Sequence, residues 1–162
     1  MILYLLRHAK AIPRQGGIPE EQRYLTAEGR ARFIQTTQKL RELGMNPSLI
    51  LTSPLLRSVQ TAEILACELR FEGEVLVEQR LAPGFDRRQL AKLLKEHGDC
   101  AELVVVGHEP DLSLLLTGLL GIKAHFTLKK GDAVALDLDP EGKPALRWRT
   151  FRGEPTTSLL DQ

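Results

Sequence analysis

Cysteine is scarce. Cys67 and Cys100 are the 2 thiols in 162 residues, they stand 33 positions apart, and no CxxC pair exists. A disulfide framework or a structural zinc knuckle is excluded on that spacing, and buried free thiols in a reducing compartment are expected. An excess of either charge is also missing: 22 Lys+Arg against 21 Asp+Glu leave a net +1. No global field draws the chain onto nucleic acid or an anionic bilayer, so any anion must be gripped locally. Long hydrophobic runs are absent as well. Leu112 to Ile122 spans eleven residues and contains Ser113, Thr117, Gly118 and Gly121, too short and too polar for a membrane span. The N-terminal MILYLL has no basic lead-in and runs straight into Arg7; it does not read as a signal peptide, and a cytoplasmic protein is expected. Neither GxxxxGK[ST] nor a GxGxxG after a strand occurs. Aromatic residues make up 5% of the chain, and Arg147-Trp148-Arg149 is the one basic and aromatic interleaving. A strand with one wet face and a buried Trp148 accounts for it better than a stacking platform, so no nucleic-acid partner is expected.

What remains is 43% hydrophobic and 27% charged, the make-up of an ordinary globular protein able to bury roughly two thirds of its unfolded surface. One domain over residues 1–162 is expected, with no repeat or linker and no lid domain. Ile2 to Leu6 reads as a buried strand ending at polar Arg7-His8, and residues 9 to 25 as a polar loop with Gly and Pro. Thr26 can cap a helix to Leu43 that stops at Gly44, with Phe33, Ile34, Thr37 and Leu40 as its inner stripe. Ser48 to Thr52 is a second strand. Ser53-Pro54 then opens a helix with Leu55, Val59, Ala62, Ala66 and Leu69 inward. Val75 to Val77 is a third strand, Asp86 and Gln89 form a capping box for a helix closed by Gly98, and Leu103 to Val106 is a fourth strand. Pro110 starts a Leu-rich helix to about Leu120, and Ala133 to Leu138 pairs with Ala145 to Phe151 across the Pro140-Glu141-Gly142 turn. The alternation predicts a mostly parallel sheet with helices on both faces and an antiparallel C-terminal end.

Ligands in such sheets bind outside the carboxyl ends of the strands. Arg7 and His8, Ser53 with Arg57 one turn on, and His108 stand at those ends. Two arginines and two histidines on one edge suit a dianionic phosphoryl group, because guanidinium forks match phosphate oxygens two at a time and helix N-termini add oriented amides. His97, at a helix end, and His125, in a short loop, lack that context.

Leu6-Arg7-His8-Ala9-Lys10-Ala11, Leu51-Thr52-Ser53-Pro54-Leu55-Leu56-Arg57-Ser58-Val59-Gln60-Thr61-Ala62 and Val106-Gly107-His108-Glu109-Pro110 resemble the signature blocks of the histidine phosphatase superfamily, in order and spacing. More narrowly the chain is similar to the SixA-type protein phosphohistidine phosphatases, from Met1 to about Phe151. The resemblance implies a three-layer α/β/α sandwich of the phosphoglycerate mutase-like kind and a metal-independent phosphohydrolase needing no cofactor. It implies a covalent mechanism with His8 as nucleophile and Arg7, Arg57 and His108 around the transferring group, His108 protonated at that moment. Arg23, shortly before the Leu25-Thr26 that opens the first helix, matches a substrate-phosphate position. Ala9 stands where many members have glycine, and Arg80-Leu81-Ala82-Pro83 stands where mutase-like members place an acid. Glu78 reads as a strand-end charge and Asp86 as a cap, so no general acid is evident. A missing acid favours phosphohistidine, whose P–N bond is weak, and the lack of long insertions implies a shallow, open site. The expected partner is a phosphohistidine-bearing protein, with a small phosphorylated molecule as the alternative and a non-catalytic phosphate-binding module as the alternative from another class; a monomer is expected.

Overall fold

The computed structural model describes residues 1–159; the expected domain runs to 162, and its last three positions lie outside the described residues. Apolar runs broken by caps yield β1 (Ile2–Arg7), α1 (Ala27–Glu42), β2 (Leu49–Thr52), α2 (Leu56–Glu68), β3 (Val75–Val77), α3 (Arg87–Glu96), β4 (Glu102–Gly107), α4 (Asp111–Leu120), β5 (Ala133–Leu138), β6 (Pro144–Phe151) and β7 (Glu154–Thr156), with single 3-10 turns at Glu20–Gln22 and Gln79–Leu81. The sheet order is β3-β2-β4-β1-β5-β6-β7. The first four strands in that order are parallel, and β5, β6 and β7 follow antiparallel to their neighbours.

The period of two along β1 and β4 sorts their side chains onto two faces. Leu3, Leu5, Leu103 and Val105 join Leu90 and Leu93 of α3 and Leu112, Leu115 and Leu116 of α4 on one side. Tyr4, Leu6, Val104 and Val106 meet Phe33 and Leu40 of α1 and Ala62 and Leu65 of α2 on the other. The result is three layers, α/β/α, and each fully buried aliphatic chain contributes about 1.5–3 kcal/mol. No helix of the described residues is long and apolar enough to cross a membrane.

Local chemistry sets the ends of the helices. The Thr26 side chain accepts from Gly29 N, and Asp86 with Gln89 closes a reciprocal capping box. α2 departs from expectation. It begins at Leu56 with no side-chain cap, and Ser53 Oγ instead accepts from Leu55 N at 3.2 Å in the turn before it. The buried face of α2 is Arg57, Ser58, Thr61, Ala62 and Leu65, while Val59, Ala66 and Leu69 are half-buried. The stripe is rotated because Ser58 and Thr61 are drawn inward by hydrogen bonds. Cys67, expected inside, is exposed on the far side of that helix.

The C-terminal end differs too. β7 was not foreseen, and Arg149, expected on a wet face, is 1% exposed beside buried Trp148. A bulge between Ala135 and Leu136 breaks the alternation against β6. Arg149 then lies under Phe126 and Phe151 with its Nε donating to Ser158 O at 2.6 Å, while Arg147 pairs with Asp137 in solvent.

Candidate active site

Parallel pairing of β1 with β4 sets Arg7 opposite Gly107, so the chain leaves the sheet at His8 and at His108 on the same edge. Their ring centroids stand 5.2 Å apart. β2 flanks β4 with Thr52 opposite Val106, and Ser53 N donates to Val106 O at 3.0 Å, which brings the start of α2 and Arg57 to the same place. Arg7, His8, Arg57 and His108 are therefore brought together as the sequence predicts.

The tautomer of His8 follows from its neighbours. Nδ1 lies 2.7 Å from Ala9 O, which can only accept, so Nδ1 carries the proton. Nε2 keeps its lone pair and accepts from Arg57 Nε at 3.2 Å. Burial pushes His8 down to about 3; the Ala9 carbonyl opposes this, and His108, Arg57 and Arg7 reinforce it. At neutral pH the ring is neutral, with its free nitrogen toward the arginine.

His108 Nε2 lies 2.7 Å from Ser53 Oγ and 3.3 Å from Ser58 Oγ. Burial first, then Arg57, lowers it to about 4. A buried ring among guanidinium groups is disfavoured in its charged form; the proton that the resemblance implies belongs to the transfer step itself. Arg7 Nη1 donates to Leu128 O at 2.8 Å. Among the described residues, the buried side-chain nitrogens and oxygens with no hydrogen-bond partner are Arg7 Nε and His108 Nδ1. Buried polar atoms are normally paired, so two orphans in one small site point to an acceptor that belongs there.

Glu20 joins the site without a motif to mark it. Its carboxylate accepts from Arg23 Nη2 at 2.8 Å and Nε at 3.0 Å, from Arg57 Nη2 at 3.1 Å and from Arg14 Nε at 3.2 Å. Its carbonyl oxygen also takes Arg57 Nη1 at 2.9 Å. The hydrogen bond from Arg23, with Arg23, Arg57 and Arg14 charges behind it, holds this acid below the usual carboxylate range. Arg23 thus reaches the site through Glu20. His8 is 7% and His108 3% exposed, and Glu20 ties the 3-10 turn Glu20–Gln22 to Arg57. The one signal in the sequence was an acidic pair, Glu20-Glu21, within a loop whose other charges are basic.

The second block supplies positioning as well as charge. Thr61 Oγ1 accepts from Ala9 N at 3.0 Å and donates to Arg57 O at 2.7 Å, while Gln60 Oε1 accepts from Leu25 N at 2.8 Å. α2 thereby holds both ends of the loop after β1. Thr61→Val keeps the shape but leaves Ala9 N unpaired in the core; stability measured by urea unfolding should fall by about 1–3 kcal/mol. Glu78 is tied to Arg80 at 2.8 Å, Asp86 caps α3, and Glu109 Oε1 accepts from Ser113 N at 3.1 Å in the first turn of α4. All three carboxylates are hydrogen-bonded within the protein, and burial raises the Glu109 carboxyl above its ordinary range.

The model of the histidine phosphatase superfamily, branch 1, matches residues 3–84. An uncharacterized protein of Picosynechococcus sp. is 40% identical over 146 residues, covering 84% of each chain. The chain belongs to the histidine phosphatase superfamily. Membership supports phosphatase activity. Among solved structures, the protein histidine phosphatase SixA complexed with tungstate superposes with a TM-score of 0.83 at 22% identity, over 94% of this chain and 97% of that one. The alpha-ribazole phosphatase from Shigella flexneri gives 0.76 at 20% identity, over 95% and 98%. These likenesses are of fold. In superfamily terms the matched region holds β1 with His8 and α2 with Arg57, whereas His108 lies beyond it.

Proposed function

We propose that the protein is a phosphohistidine phosphatase in which His8 Nε2 is the nucleophile. The reading rests on one observation above all: a neutral, Nδ1-protonated His8 stands 5.2 Å, ring centre to ring centre, from His108 and next to Arg7, and these two residues carry buried, unpartnered nitrogens. The Nε2 lone pair attacks phosphorus in line with the leaving group, forming a P–N bond to His8 as the bond to the substrate breaks. When the substrate is phosphohistidine protonated on its distal ring nitrogen, the imidazole departs neutral, keeping the former P–N electron pair. Water then attacks phosphorus, the bond to His8 breaks back to the Nε2 lone pair, and inorganic phosphate leaves. Arg7, Arg57 and His108 hold the oxygens through both displacements, with His108 gaining its proton as the dianion arrives. No protein acid is required, in keeping with the engagement of Glu78 by Arg80 and of Asp86 at the start of α3.

Glu20 occupies the arginine fork as a carboxylate in place of a phosphoryl oxygen pair, and substrate displaces it. Arg23, once released, joins Arg57 on the phosphoryl group. Glu20→Gln removes the charge that competes with phosphate while keeping the side chain's size. Inhibition by orthovanadate should tighten by about tenfold, the scale of one charge-assisted hydrogen bond, as read from steady-state inhibition. Unchanged inhibition contradicts the displacement. Free thiols at Cys67 and Cys100 suit a cytoplasmic setting.

A substrate panel tests the assignment. Turnover of a phosphohistidine-bearing protein should exceed that of phosphoserine, α-ribazole phosphate and sugar phosphates by about a hundredfold or more in kcat/KM, and its advantage should persist from pH 5 to pH 8. A preference for any of the small phosphate esters overturns it in favour of a small-molecule phosphomonoesterase.

A further inference from the structure

Beside the catalytic edge lies a cavity of about 550 Å3, sharing Arg7 and Ala9 with the site but not His8 or His108. Its backbone walls include Gly29, Gly131 and Gly153, with Phe33 at its side. A volume in this range accommodates a ligand. Its charge is lopsided: seven of its lining residues are basic and only Glu154 is acidic, in a chain whose net charge is only +1. The cations come from four places, Arg7 and Lys10 at and just after the end of β1, Arg32 and Lys39 on α1, Lys129 and Lys130 after α4, and Arg152 in the turn between β6 and β7.

The turn carrying Arg152 is costly to build. Arg152 has φ 52°, a left-handed conformation that a side chain disfavours, followed by Gly153 at φ 82°. Asp132, 1% exposed, holds it by accepting from Arg152 N at 2.7 Å and Gly153 N at 2.8 Å. A strained residue so firmly fastened suggests a use for its side chain. Lys130 is held below the usual range, by burial first and then by Arg7, Lys10 and Arg23, which registers the crowding of positive charge.

We propose that this cavity receives an acidic segment of the protein substrate, its carboxylates next to the phosphohistidine held at His8. The inference rests on the phosphoprotein reading and deepens it. Carboxylates are the fitting acceptors because the rim already takes them: Lys10 pairs with Glu28 at 2.9 Å and Lys39 with Glu154. Among the described residues that line the cavity, Arg7, Lys129, Lys130 and Arg152 have no ion pair; Arg7 belongs to the catalytic edge, which leaves Lys129, Lys130 and Arg152, its guanidinium 5.3 Å from the Phe151 ring centroid, to meet an incoming chain. Ammonium groups spread over separate elements act as point charges for several carboxylates, whereas a compact phosphate is better met by converging guanidinium forks. A concave wall concentrates the field.

The test measures binding without turnover, using a fluorescein-labelled peptide containing four glutamates and its glutamine counterpart. Fluorescence anisotropy should show the wild type favouring the glutamate peptide by about tenfold or more at low salt, and the preference should shrink as salt rises. The Lys129→Gln, Lys130→Gln, Arg152→Gln triple variant should bind the two within about twofold of each other. A control with Arg87→Gln, Arg88→Gln and Lys92→Gln on exposed α3 should keep the preference. No preference in the wild type, a preference surviving in the cavity variant, or its loss in the control to the same degree overturns the proposal. Tight binding of inorganic pyrophosphate with no peptide preference likewise overturns it and points to a small polyanion. Peptide discrimination without phosphohistidine turnover sinks the catalytic assignment alone, and the converse sinks the cavity alone.

Discussion

His8→Ala is expected to lower phosphatase kcat by about ten-thousandfold or more, the scale on which loss of a covalent nucleophile acts where the rest of the site is intact. The fall should exceed that for Arg57→Ala, expected at about 100- to 1000-fold for one lost donor to the transferring group. The reason is geometric. His8 alone offers a neutral nitrogen with its other nitrogen locked to a carbonyl, 2.7 Å away at Ala9. Oxyanion binding should survive, since Arg7 and His108 are untouched. Progress curves at high enzyme concentration, with vanadate titration as the control for an intact cradle, make the comparison. Residual turnover within about tenfold of the wild type would show that another group, or water itself, attacks phosphorus.

Acid is expected to destabilise the fold through the same two rings. Burial lowers His8 to about 3 and His108 to about 4, against about 6.5 in an unfolded chain. Below pH 6.5 the unfolded chain therefore binds up to two protons that the folded chain refuses, and stability rises with pH wherever the unfolded state holds more protons. The contribution of the pair is fully present above about pH 6.5 and is lost as pH falls through about 4 and then about 3, a change on the order of several kcal/mol at about 1.4 kcal/mol per unit. Urea unfolding between pH 5 and 7.5 should show a slope approaching about 2.7 kcal/mol per pH unit at the acid end, roughly halved in His108→Asn. A flat profile would mean that the rings accept protons freely in the folded state. The same depressed value keeps the nucleophile neutral at pH 5, so protonation of His8 does not set the acid limb of kcat/KM.

The parts legible in the sequence share a physical cause. Strand ends are marked by the switch from apolar run to polar pair, as at Leu6-Arg7 and Val106-Gly107-His108, and sheet physics sends such ends to one edge. Caps are equally local: Thr26, and Asp86 with Gln89, act over three residues and were readable. What escaped depends on contacts between distant segments. Glu20 and Arg57 lie 37 positions apart, and only the folded loop shows that one covers the other. β7, with Pro155 within it, reads as a loop because proline demotes a strand; it exists by pairing with the edge of β6. Arg149 is buried because the pairing of β5 with β6 slips between Ala135 and Leu136, leaving Arg147 as the extra residue on β6, and no apolar pattern along β6 announces that. The inward turn of Ser58 and Thr61 had the same origin, since their partners, His108 and Ala9, stand on other elements.

The shared edge also explains why the cationic cavity and the proposed catalytic cradle adjoin. Arg7 closes β1 next to His8, carries a buried, unpartnered nitrogen, and lines the cavity as well. A substrate protein presenting a phosphorylated side chain beside acidic residues would engage both at once, and the affinity gained at one would concentrate it at the other.

Rapid quenching of the protein with a 32P-labelled substrate, followed by peptide mapping of the trapped phosphoryl group, is the most direct measurement. The label should sit on His8 alone, attached at Nε2, stable in base and lost in acid. Label on serine or on a carboxylate, or stoichiometric turnover with no protein-bound label at any quench time, would contradict a phosphoryl group passing through that ring.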